Sequence, residues 1–199
     1  IDTEKWKEII KNLKEKRTTY ANDFYDAIKH MYSFQAVDLF GNSQPPININ
    51  SQAQLLDLFN KKLKLNIPST GDPILSMMSH PVAKVLRDYR KYEKLISAFG
   101  ESLLDKVNPV TKRLHPDFNQ LGAATGRFSC NNPNLQQIPR NSEEAPFREC
   151  FNPIKGYKLV TADYSSFEMR ILADLSGDKQ FIRALNDNLD LHSFTAALM

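Results

Sequence analysis

The chain has 199 residues, 41% of them apolar, and a formal charge of +3 from 26 basic and 23 acidic side chains. That is apolar material for one or two small cores, and no apolar run is long enough to make a membrane-spanning helix. Nothing resembles a secretion signal, and Cys130 and Cys150 have neither metal spacing nor the number for a disulfide framework, so they read as reduced thiols in a cytoplasmic setting.

In chain order, the first helix carries Lys5, Lys7, Lys11, Lys14, Lys16 and Arg17, interleaved with acids, as a solvated face does. Gly41 to Asn50, rich in Pro, Asn and Ser, reads as a loop between helices, and Pro68 to Pro73 as a second turn. A later helix repeats the basic pattern with Lys84, Arg87, Arg90, Lys91 and Lys94. From about Asp105 the pattern changes to short strands and loops. Ala124 to Arg140 is dense in amides, hydroxyls and arginines and lacks helical periodicity, so it reads as a loop offering hydrogen-bond donors or as a solvated connection with turns at Gly126 and Pro133.

The run Lys158-Leu-Val-Thr-Ala-Asp163-Tyr-Ser-Ser-Phe-Glu168-Met-Arg170 combines several local signals. Leu159 to Ala162 predict a short, largely buried strand with Asp163 at its end. Ser165 and Glu168 have capping-box spacing, and Ile171, Leu172 and Leu175 predict the apolar face of the helix that follows. Two carboxylates at one strand-to-helix turn suit a hard cation, and they suit equally an Asp turn followed by an ordinary helix cap.

The pair Thr125-Gly-Arg127-Phe-Ser129…Pro133-Asn134-Leu-Gln136-Gln137-Ile-Pro139-Arg140 and Ala162-Asp163-Tyr-Ser-Ser-Phe-Glu168-Met-Arg-Ile-Leu-Ala173 resembles the family A DNA polymerases. Arg148 to Phe151, Leu175 to Asp178 and Asp190 to Ala196 look like further family segments in the right order. More weakly, Ile49 to Leu55 looks like the start of a thumb helix and Leu86 to Lys94 like the helix that leads back to the palm. Ser166, Phe167 and Met169 depart from the family's usual Gln, β-branched aliphatic and Leu.

The resemblance implies an α+β fold: a mainly helical thumb over residues 1–104, an incomplete α+β palm over 105–189, and the start of the fingers over 190–199. It implies template-directed DNA synthesis with primer–template DNA and deoxynucleoside triphosphates as partners, by nucleotidyl transfer with two Mg²⁺ ions about 3.5–4 Å apart. Asp163 and the backbone carbonyl of Tyr164 match metal ligands, Glu168 matches a steric gate against the ribose 2′-hydroxyl, and His192 matches a contact to the incoming nucleotide's phosphates. Arg127 matches a minor-groove donor at the primer terminus, with Asn134, Gln136 and Gln137 as neighbouring donors. Arg140 reads as a phosphate contact and Arg170 as either that or a palm brace.

No exonuclease segment is visible, and the apolar stretch Ser193 to Met199 lacks a helix stop, so the sequence reads as a fragment that needs its parent's fingers and C-terminal palm for activity. Two other functions fit some of these features. One is a non-catalytic nucleic-acid-binding module from a split or decayed polymerase, and the other a hydrolase using Asp163 and Glu168 as acid and base. The hydrolase leaves the Thr125-Gly-Arg loop without a purpose.

Overall fold

The computed structural model describes residues 1–32 and 44–190, which form two compact units, 1–152 and 153–199. The first unit is built on helix α1 (Thr3–Ile28) and helix α4 (Pro81–Phe99), which pack along each other. Asp2 starts α1 by accepting the Lys5 backbone N–H at 3.0 Å. Trp6, Ile9, Ile10 and Leu13 then recur at helical spacing, and all are buried.

Between the two long helices lie α2 (Gln52–Asp57), which runs on into a π-helical turn at Leu58–Lys62, and the short α3 (Asp72–Leu75). Their apolar side chains Leu55, Leu58, Phe59 and Leu75 close a first core with Phe24, Ile28, Leu86 and Tyr89. After α5 (Glu101–Leu104), the chain turns irregular, as its sequence predicts. Strands β1 (Asp117–Asn119) and β2 (Ser129–Asn131) pair antiparallel with Phe118 opposite Cys130, and single 3₁₀ turns follow at Leu135–Gln137 and Phe147–Cys150. This later segment is not separate from the helices. Ile138, Ala145, Phe147 and Cys150 complete a second core with Trp6, Leu13, Tyr92, Phe99 and Leu103.

The second unit contains α6 (Phe167–Ser176) and α7 (Lys179–Asn186), whose Ala173, Ala184 and Leu185 meet in a small buried cluster. The mainly helical α+β class agrees with the sequence reading, and both cysteines are free and buried. No helix of the described residues is long and apolar enough to cross a membrane.

Two local expectations are corrected. Leu159 to Ala162 form no strand, and Leu159 and Val160 are 64% and 86% exposed. A strand exists by pairing with a neighbour, and the one ladder among the described residues is β1 with β2 in the other unit. The capping box also fails, because α6 starts at Phe167 with Ser166 in its cap position, which leaves Glu168 one residue short of the box spacing. The apolar face of α6 forms but is not covered: Ile171, Leu172 and Leu175 all remain substantially exposed.

Candidate functional site

In the second unit, Asp163 and Tyr164 lie in the irregular stretch just before the turn at 165–166 and Glu168 at the start of α6, and all three are exposed. Ser166 adopts a left-handed conformation, φ 52°, that reverses the chain just before α6. A non-glycine residue there costs on the order of 1–2 kcal/mol. Arg170 secures the turn: its Nε donates to the Ser165 carbonyl at 3.0 Å, and its backbone N–H donates to the Ser166 carbonyl at 3.0 Å. Arg170 is thus a local brace of the turn that follows Asp163 and Tyr164. Glu168 lies in the first turn of α6, where a carboxylate meets the positive end of the helix dipole.

The donor chemistry of this segment fits a hard cation, since a carboxylate and a following backbone carbonyl are both oxygen ligands. Among the described residues no group of three or more His, Cys, Asp or Glu side chains is assembled into a metal cage. One carboxylate and one carbonyl are fewer oxygens than the six or more that a hard cation takes. His192 lies outside the described residues.

In the first unit, the predicted donor loop is ordered by its own polar groups. The Asn134 side-chain oxygen accepts the Gln136 N–H at 3.1 Å and caps the 3₁₀ turn. Gln136 Nε2 donates to the Phe128 carbonyl at 3.2 Å, and Cys130 Sγ accepts the Leu135 N–H at 3.4 Å. Arg127, Gln137 and Arg140 are exposed along this loop. The structure brings Gln137 and Arg140 together with Lys91 and Lys94 of α4 at a cleft of about 600 Å³, floored by apolar residues that include Leu95 and Phe99.

The basic residues of α1 are used differently. Lys5, Lys14, Lys16 and Arg17 reach Glu149, Glu101, Glu144 and Glu93 at 2.7, 2.8, 3.2 and 3.3 Å, tying α1 to later elements. On α4, Arg87 Nε bonds Asp72 at 2.7 Å, and the Arg87 guanidinium holds that carboxyl below its ordinary value. Arg90 hydrogen-bonds the carbonyl and hydroxyl of the buried Thr70.

Sequence reasoning missed Glu144. It stands in an acidic loop, and its partners Lys16, Lys91 and Tyr92 are far away in sequence, so no local spacing marks it.

A family model for DNA polymerase family A matches residues 11–199. The DNA polymerase I of Chloroflexus aurantiacus is 44% identical over 167 residues, covering 76% of this chain and 18% of that protein. The thermostable DNA polymerase I of Thermus aquaticus is 37% identical over 174 residues, covering 81% of this chain and 21% of its own. Among solved structures, the POL domain of Pol1 from M. smegmatis, in complex with DNA primer-template and dNTP, superposes with a TM-score of 0.65 at 32% identity. That match covers 94% of this chain and 34% of the solved one. The chain thus spans 18–21% of the length of these two curated relatives.

Proposed function

Because the chain belongs to DNA polymerase family A, we propose that it serves template-directed DNA synthesis, as thumb (1–104), first part of the palm (105–189) and start of the fingers (190–199) of a larger enzyme. The observation that carries this reading is the presence in one chain of both the Arg127 to Arg140 loop and the Asp163 to Glu168 segment, each within the family match. Its partners are primer–template DNA and deoxynucleoside triphosphates, in line with the complex formed by the M. smegmatis domain. We place its work in the cytoplasm, since its relatives include bacterial DNA polymerases I.

In this reading Asp163 and the Tyr164 carbonyl would hold Mg²⁺, which would lower the pKa of the primer 3′-hydroxyl and offset charge at the reacting phosphate. A single carboxylate would leave two ions short of ligands, so the second metal-binding carboxylate is expected from the rest of the parent polymerase. Glu168 packs beneath the incoming sugar and excludes a 2′-hydroxyl by size, and His192 contacts the triphosphate. Arg127 donates to minor-groove acceptors shared by all correct base pairs, which checks pair geometry without selecting sequence. Asn134, Gln136 and Gln137 orient the strands beside it, and Arg140 neutralises a phosphate.

The test is binding of the purified chain to fluorescent primer–template, against single strand and across a salt series. Primer–template should win, and Arg127→Ala should weaken it by about 1–3 kcal/mol. Equal affinity for both DNA forms would refute the assignment of the loop to the primer terminus. The chain alone should incorporate no nucleotide, and robust incorporation would show that the metal centre is complete without further carboxylates.

A further inference from the structure

Glu144 joins three parts of the first unit. Its Oε1 accepts from the Tyr92 hydroxyl at 2.7 Å and from Lys16 Nζ at 3.2 Å, and its Oε2 accepts from Lys91 Nζ at 2.7 Å. Lys16 belongs to α1, Lys91 and Tyr92 to α4, and Glu144 to the loop between the two last 3₁₀ turns. Tyr92 is 2% exposed and its ring stacks on Tyr20 at 5.4 Å, with the Lys91 and Lys16 ammonium groups 5.2 and 5.9 Å from the ring centre.

The loop on both sides of Glu144 is also fixed. The Ala145 N–H donates to the Ser142 carbonyl and hydroxyl at 3.2 and 3.1 Å, and Ala145 itself is buried. Arg148 donates to the Pro139 and Ile138 carbonyls at 2.9 and 3.1 Å. This loop starts just after Gln137 and contains Arg140, and both residues line the cleft together with Lys91 and Lys94.

A carboxylate beside such a cleft repels phosphate, so by charge alone Glu144 weakens a grip on DNA. Its three donors point to a different use. We propose that Glu144 is a positioning residue for the DNA grip: it ties the 138–147 loop to α1 and α4 and so holds Gln137 and Arg140 opposite Lys91 and Lys94. This rests on the reading of Gln137 and Arg140 as DNA contacts.

The two effects of Glu144 have opposite signs, which makes the test decisive. Glu144→Gln removes a negative charge and keeps the side-chain shape, so a purely electrostatic role predicts tighter binding of primer–template. Positioning predicts several-fold weaker binding, with faster hydrogen exchange at the Ala145 and Arg148 amides and unchanged exchange across α4. Glu143→Gln, which removes the adjacent charge, is the control and should bind at least as tightly as wild type. Binding by Glu144→Gln equal to or tighter than wild type overturns the inference, whatever the loop does. Weaker binding with loop amides unmoved overturns it too. If the wild-type chain does not hold primer–template at all, the reading of Gln137 and Arg140 as DNA contacts fails, and the inference falls with it.

Discussion

Trp6 is fully buried, its ring centroid lies 4.6 Å from that of Phe147, and its indole N–H donates to the Phe99 carbonyl at 2.9 Å. One side chain therefore joins α1, the end of α4 and the 3₁₀ turn at Phe147. Trp6→Phe keeps most of the apolar surface but leaves that carbonyl without its donor, and should cost about 1–3 kcal/mol in urea unfolding. Trp6→Ala adds a cavity and should cost about 3–5 kcal/mol. Glu144 acts through charge. Lys91 first, then Tyr92 and Lys16, hold its carboxyl at about 2 against an ordinary 4.5. A depressed folded-state pKa stabilises fully above the unfolded value, and the contribution is lost as pH falls from 4.5 through about 2. Unfolding midpoints measured down that range should fall more steeply for wild type than for Glu144→Gln.

Helices α6 and α7 illustrate how two adjacent residues end one element and begin the next. Gly177 takes φ 65°, the left-handed conformation that closes α6, and its N–H donates to the Ala173 carbonyl at 3.1 Å. Asp178 then caps α7 by accepting the Gln180 and Phe181 N–H groups at 2.8 and 3.0 Å. Asp178→Ala should lower stability by about 0.5–2 kcal/mol, seen as reduced helical circular dichroism, with no change in primer–template affinity. A loss of DNA binding with full helicity would instead give Asp178 a place in the DNA site. Elsewhere the same rule works through Asp2 at α1 and Ser51 at α2.

The two units differ in how much they bury. Among the described residues, the first has two extended cores, whereas the second buries Ala173, Ala184 and Leu185 and exposes Leu172 and Leu175. Local stability follows buried contact, so amide exchange should be slowest in α4 and fast across residues 158–165, which carry no regular secondary structure. Protection of 158–163 comparable to that of α4 would mean that this run pairs as a strand in solution.

The long helices α1 and α4, the helix after Asp163, the change of pattern after Asp105 and the two family motifs were readable along the chain, because each depends on residues within a few positions of one another. The expected strand at Leu159 to Ala162 was not, since alternation marks a segment able to pair but does not supply its neighbour. The same holds for Ser166, whose left-handed turn displaced the expected cap by one residue. The joining of Trp6 to Phe99 and Phe147, and of Glu144 to Lys16, Lys91 and Tyr92, came from packing alone. Such contacts link residues dozens of positions apart, and burial and charge pairing act through space, which local pattern does not encode.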